Sequence, residues 1–238
     1  MKKAGLVLPA QIYISWMRRC DFMHLEYLLF DLDNTLYHAS SGLFEEISRR
    51  MTRFVAEYFG IPEQKASIWR KEYSSIYGTT LGGLMQAGGL DDPEQFILDV
   101  HPTDIDKYVP ENPGLKLLLE SVNLPKSILT NSPLEHARRV LSRLGVSDCF
   151  EKIFDIRFSG FQGKPVPECY MRVCKVIGKK SGEVLFIDDL PQYLEAFRDL
   201  GGEVLLVSED GKGEEAGFPK ISEIGQLPGY LRNTYGLF

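Results

Sequence analysis

The chain has few of the features that would place it outside the ordinary globular proteins. Only four of its 238 residues are cysteine: Cys20, Cys149, Cys169 and Cys174. None of them makes a CxxC pair, and Cys169 and Cys174 fall about 140° apart around a helix axis. Zinc knuckles and a disulfide framework are therefore not expected, and all four read as small buried hydrophobes in a cytoplasmic setting. No apolar run approaches the roughly 18 residues needed to span a bilayer, so no membrane partner is expected. A basic excess is missing too: 27 Lys and Arg against 33 Asp and Glu give a net charge of −6. With a pI near 5.4, the balance has the wrong sign for nucleic acid as the main partner. The four histidines (His24, His38, His101 and His136) show no mutual ligand spacing, and His38 and His136 are expected at the surface. No internal repeat or low-complexity segment is present, and nothing in the sequence sets an oligomeric state.

What is there is a composition of 44% hydrophobic and 25% charged residues, that of a folded globular protein. Residues 1–22 stand apart. Lys2-Lys3 opens a stretch interrupted by Pro9, Gln11 and Trp16 that ends in Arg18-Arg19-Cys20-Asp21. It has no small-x-small cleavage site, unlike a signal peptide. Met23 precedes the first apolar run, so residues 1–22 are expected to be an over-long start or a peripheral arm.

From Leu25 to Phe30 the chain is mostly hydrophobic and bounded by polar residues, as a buried strand of a parallel sheet would be. From Leu43 the period becomes helical, with Leu43, Ile47, Met51, Phe54, Val55 and Tyr58 on one face and Gly60 as a stop. Pro62 opens a second helix that Gly78 ends, and Leu81–Gln86 and Pro93–Val100 read as shorter helices. After Asn112-Pro113-Gly114, strands alternate with helices: 127–130, 152–156, 183–187 and 203–207 against 115–122, 133–144, 167–177 and 191–200. The pattern predicts an α/β fold, a Rossmann-like parallel-sheet core of residues 23–42 and 111–238 with an inserted all-α cap at 43–110.

Asp31-Leu32-Asp33-Asn34-Thr35 closes the first strand. Carboxylates at i and i+2 share a face of extended chain. At about 5 Å and an effective dielectric near 20 their repulsion is roughly 3 kcal/mol. A cation, a shared proton or solvent must offset it. On this pentapeptide alone, a solvated turn and a catalytic pair remain equally open. Three further groups fall at strand ends. Thr130-Asn131-Ser132 precedes a helix, with Ser132 and Glu135 reading as a capping box and Pro133 as the first helical residue. There, free N–H groups favour an anion. Gly163-Lys164-Pro165 brings a lysine into a loop between strand and helix. Asp188-Asp189 closes the apolar run Val184–Ile187. Adjacent buried carboxylates need a cation, and hard oxygen ligands suit Mg²⁺ shared with a phosphate.

Asp31-x-Asp33-x-Thr35, Thr130, Lys164-Pro165 and Asp188-Asp189, in this order, resemble the four motifs of the haloacid dehalogenase superfamily. The helical insert is similar to the C1 cap of subfamily I. Asp31–Tyr37, Tyr77-Gly78, Leu129–Asn131 and Phe186–Asp189 are more narrowly similar to the pyrimidine 5′-nucleotidase branch. The resemblance implies a Mg²⁺-dependent phosphatase acting on a small phosphorylated metabolite. Asp31 would be the nucleophile that forms an aspartyl-phosphate, and Asp33 the acid and base. Thr130 and the Asn131 N–H would bind phosphate oxygens, and Lys164 would neutralise charge. Mg²⁺ would be held by Asp31, the Asp33 carbonyl, Asp188 and Asp189. An acid at Asp33 argues against dehalogenation, whose halide leaving group needs no proton. Leu190 and Tyr193 depart from the pattern, which usually has a small polar residue and an Asn there. Tyr77 and Thr80 are possible base or sugar contacts. The alternatives are a phosphatase or phosphomutase for a small sugar phosphate, and a non-catalytic phospho-ligand binder. A receiver-type signalling module is excluded by motif order.

Overall fold

A computed structural model of the protein describes residues 24–209 and 217–237. The expected extension at 1–22, with Cys20 and Met23, lies outside the described residues. Six strands form one parallel sheet in the order β3-β2-β1-β4-β5-β6. They are β1 (Tyr27–Phe30), β2 (Lys126–Leu129), β3 (Lys152–Phe154), β4 (Val184–Asp188), β5 (Glu203–Val207) and β6 (Lys220–Ile221). The chain starts in the middle, builds one half of the sheet through β2 and β3, then crosses β1 to build the other half. Such a reversal of strand order opens a crevice at the carboxyl ends of the central strands. The Rossmann-like α/β sheet is the one expected.

Both faces of the sheet are covered, so β1 is apolar at every position and its four residues are buried. Leu28 and Phe30 point into a core shared with α5 (Pro113–Ser121), α6 (Leu134–Leu144) and α9 (Leu227–Tyr235). Tyr27 and Leu29 point into the opposite core with α7 (Pro167–Ile177) and α8 (Pro191–Asp199). Between β1 and β2 lie four helices: α1 (Leu43–Phe59), α2 (Glu63–Tyr77), α3 (Thr80–Gln86) and α4 (Pro93–Val100). They share a third core of Val55, Ala66, Leu84, Phe96 and Val100, joined by Ile156 from the loop after β3.

Local chemistry sets most boundaries. Asp92 caps α4 through the Glu94 N–H at 2.9 Å, and Asn112 caps α5 through the Leu115 N–H at 3.2 Å. The capping box expected at Ser132 and Glu135 is not formed. The Leu134 N–H at the start of α6 donates instead to Asp155 after β3, at 3.1 Å, and Glu135 pairs with Arg157 at 2.9 Å. Pro133 is the N-cap rather than the first helical residue. Ser132 is diverted because its hydroxyl has a buried acceptor elsewhere, described below.

One buried polar contact ties β1 to β2: the Tyr27 hydroxyl and Ser127 Oγ lie 2.7 Å apart. Tyr27→Phe strands the Ser127 hydroxyl in the core and should cost about 1–3 kcal/mol. Adding Ser127→Ala should recover part of that loss, because the stranded hydroxyl is then gone, and Glu151, which accepts from Tyr27 at 3.0 Å, is exposed to water. Urea midpoints at constant slope measure it; a double variant no more stable than Tyr27→Phe would refute the account.

Candidate active site

Register puts three strand ends side by side. Phe30 pairs with Ile128 on one side and Ile187 on the other, so Asp31, Thr130 and Asp188 end or follow adjacent strands. The Asp31 N–H donates to the Ile187 carbonyl at 2.8 Å, extending the ladder to the carboxylate itself. The loop after β3 delivers Lys164, whose side chain is 1% exposed. Its ammonium donates to Asp31 Oδ1 and Asp188 Oδ2, both at 2.6 Å. Thr35 Oγ1 donates to the other Asp31 oxygen at 3.3 Å, and the Leu190 N–H to the other Asp188 oxygen at 2.8 Å. Asp189 takes a long hydrogen bond of 3.4 Å from Asn34 Nδ2.

Asn131 acts through its side chain. Its amide accepts from the Lys164 N–H at 2.8 Å and donates to the Lys164 carbonyl at 2.9 Å. A Cβ at Gly163 would lie 2.0 Å from Asn131 Oδ1, so glycine there is what lets the loop approach. Tyr193 supplies the remaining support. Its ring centroid is 4.9 Å from the Lys164 ammonium, and its hydroxyl accepts from Asn131 Nδ2 at 3.3 Å.

One lysine cannot neutralise three carboxylates. Asp31, Asp188 and Asp189 present oxygens within 4.8 Å of one another. Burial and then the neighbouring acids push Asp189 up to about 8. Burial pushes Asp31 up to about 7, with Lys164 opposing and Asp188 and Asp33 adding. Lys164 itself is shifted upward, because its two carboxylate partners outweigh its burial.

Asp33 has a separate and opposite environment. Burial acts to raise its carboxyl, but the imidazole of His136 and the hydroxyls of Tyr37 and Ser132 overcome that and hold it well below the carboxylate range. Tyr37, His136 and Ser132 each lie 2.7 Å from an Asp33 oxygen. Here is the acceptor that takes Ser132 away from its helix. His136, expected at the surface, is fully buried on α6 and faces inward. His101, after α4, is buried too, and its ring lies 5.0 Å from that of His136. His38 is exposed as expected, bound to Glu209 at 2.8 Å. Helical spacing held the signal for His136: it stands one turn before Val140, on the face that Ala137, Val140 and Leu141 bury.

The cavity over these groups measures about 180 Å³ and includes Asp31, Asp33, Thr130, Asn131, Lys164 and Asp189. Thr80 lines it from the helical side; Tyr77 does not, and lines a neighbouring groove. Leu190 and Tyr193 also line it. A larger groove of about 940 Å³ runs past Tyr37, Tyr108 and Glu223 and contains none of the six groups above. The chemistry belongs to the smaller one.

Burial, followed by His136, lowers His101 to about 3. The unfolded chain takes up a proton near pH 6.5 and the folded one does not, so stability is full above that pH and falls as pH drops toward 3. Between pH 7.5 and 5.5, wild type should lose about 1 kcal/mol more than His101→Gln in urea unfolding. Parallel pH profiles would contradict a buried neutral imidazole.

The comparisons agree with this geometry. A family model described as haloacid dehalogenase-like hydrolase matches residues 25–201. Phosphate metabolism protein 8 of Saccharomyces cerevisiae is 28% identical over 200 residues, covering 76% of this chain and 61% of that protein. The chain thus spans less than two thirds of that relative's length. The Phosphorylated carbohydrates phosphatase of Thermotoga maritima is 29% identical over 187 residues, 74% of this chain and 82% of that protein. A solved HAD phosphatase from Thermococcus onnurineus superimposes with a TM-score of 0.61 at 17% identity, covering 87% of this chain and 98% of that one, a likeness of fold. A parallel α/β sheet whose strand ends gather these motifs, matched over most of its length, belongs to the haloacid dehalogenase-like hydrolases.

Proposed function

We propose that the chain is a Mg²⁺-dependent phosphomonoester hydrolase working through an aspartyl-phosphate, with residues 43–110 as a cap over a core of 23–42 and 111–238. The observation that carries this reading is the division of the acids into two sets. Asp31 shares Lys164 with Asp188, while Asp33 is held apart by three hydrogen-bonded groups. Separate partners let the two neighbouring carboxyls take different roles, and Asp33 has to gain its proton as the substrate enters.

Asp31 attacks phosphorus, and the bond to the leaving oxygen breaks as that oxygen takes a proton from Asp33. A phosphate dianion entering beside Asp33 raises its proton affinity, which opposes the downward pull of His136. Asp33 then takes a proton from water, which attacks phosphorus and frees Asp31. Thr130 and the Asn131 N–H hold phosphate oxygens, and Lys164 screens the nucleophile from the substrate's charge. Asp31, Asp188, Asp189 and the Asp33 carbonyl suit Mg²⁺, being hard oxygen donors in negative excess beside the unpartnered Asn34 Oδ1. When bound, the ion supplies Lewis-acid screening of the phosphoryl oxygens.

The substrate reading is a small phosphorylated metabolite in a cytoplasmic setting. The motif resemblance favours a pyrimidine nucleoside 5′-monophosphate. The cavity of about 180 Å³ favours something smaller than a phosphoryl group, ribose and base together. The name of the Thermotoga maritima relative supports a sugar phosphate as the second reading.

Asp31→Asn should lower p-nitrophenyl phosphate turnover at least about a thousandfold, and EDTA should abolish a rate that Mg²⁺ restores. Retained activity in the variant would remove Asp31 as nucleophile. His136 positions Asp33, so His136→Asn should slow alkyl phosphates, which need a proton on leaving, about ten- to a hundredfold. p-Nitrophenyl phosphate, with a good leaving group, should suffer far less. Equal losses on both would make His136 merely structural.

A further inference from the structure

Arg70, on α2, is a cation without a counter-charge. Its Nη2 donates to Ser48 Oγ at 2.7 Å, and its Nη1 makes a weak contact of 3.7 Å with Met51 Sδ, both on α1. Its Nε is shielded from solvent and has no partner. Among the described residues no carboxylate lies within ion-pair distance of it; of the three acids of α1, Glu46 pairs with Arg49 and Arg50 and Glu57 with Arg53. Burial alone acts on the guanidinium, pulling its proton affinity down. Arg70 is half-buried, and a solvent-shielded N–H left without an acceptor is a cost that a ligand anion can remove. Two of its five N–H donors are used, so several remain for a ligand.

Arg70 lines the same cavity as Asp31, Thr130 and Lys164. It lies on the helical side, with Phe44, Ile47, Phe96 and Ile97 as apolar wall. The space, about 180 Å³, is the volume of roughly six waters and below the roughly 300 Å³ of pockets for drug-sized ligands. A phosphoryl group at the sheet end leaves room for a body of a few carbons.

Resting on the phosphohydrolase reading, we propose that Arg70 is a substrate subsite for a second anion, a carboxylate or a second phosphoryl group, on a compact phosphomonoester. A charge-assisted bond to the guanidinium is roughly twice as strong as a neutral one, and the substrate's anion supplies the counter-charge the protein omits. The apolar wall selects a short hydrocarbon spacer between the two ends.

The test compares probes that differ at one end. 3-Phosphoglycerate and glycerol 3-phosphate differ in a carboxylate against a hydroxymethyl group. Propane-1,3-diol bisphosphate and its monophosphate differ in the second phosphoryl group. Wild type should prefer the member carrying the second anionic group in at least one pair by about tenfold or more in kcat/KM, and the pair that shows it identifies the anion. In Arg70→Gln the ratio should collapse toward one through a raised KM for the acid. Arg70→Lys, a point charge without the fork, should keep part of it. Thermal melts establish that both variants fold. No preference in wild type, or a loss in Arg70→Gln of the same factor for both members of a pair, would overturn the subsite while leaving the hydrolase intact. No hydrolysis of any probe, p-nitrophenyl phosphate included, would overturn both.

Discussion

The Lys164 ammonium, buried and shared between Asp31 and Asp188, is the interaction on which the site depends. A buried carboxylate pair is repulsive, and a buried lysine alone would lose its proton. Together they are mutually required. Asp31 and Asp188 come from adjacent strands whose register is fixed by apolar side chains on both faces of the sheet. Lys164 comes from a loop that the sheet does not fix. It is held by Asn131, whose amide makes two hydrogen bonds to the Lys164 backbone, and by the absence of a side chain at Gly163. The parallel sheet thus aligns the acids, and a single asparagine at the neighbouring strand end aligns the cation.

This arrangement explains why the sheet and the gathering of the motifs were legible in the sequence. Apolar runs such as Val184–Ile187 need no partner information to read as buried strands, because both faces are covered. Polar residues that end such runs must then meet at the same edge of the sheet. Asp31, Thr130, Asp188 and, through its loop, Lys164 were found this way. Helix α1 was equally plain, since a long amphipathic period outlasts local ambiguity, and α2 was bracketed by Pro62 and Gly78.

The residues that escaped are those whose partners lie far along the chain. Ser132 and Glu135 make a capping-box pattern, and local rules assign them to each other. In the folded chain Asp33 and Arg157 are stronger partners, and Asp155 takes over the cap. His136 carries a polar label on a face that its neighbours bury, and only the structure shows the carboxylate that makes burial tolerable. A buried imidazole is as easily missed as a buried cysteine is easily guessed, because its burial depends on one hydrogen bond rather than on apolar area.

Tyr193 and Leu190 show the same principle at the loop after Asp188-Asp189. The motif departs there from its usual small polar residue and asparagine, which left support for the acidic pair in question. The Tyr193 ring lies against the Lys164 ammonium, the Phe186 centroid is 5.3 Å from the same ammonium, and the Tyr193 hydroxyl meets Asn131. The Tyr193 carbonyl accepts from Tyr170, which anchors the start of α8 in the core. The backbone N–H of Leu190 binds Asp188 and needs no particular side chain. An aromatic ring that stabilises the lysine replaces a side-chain amide near the acids. Support for the cluster is thus made at its cation as well as at Asp188, and the two belong to one charge network.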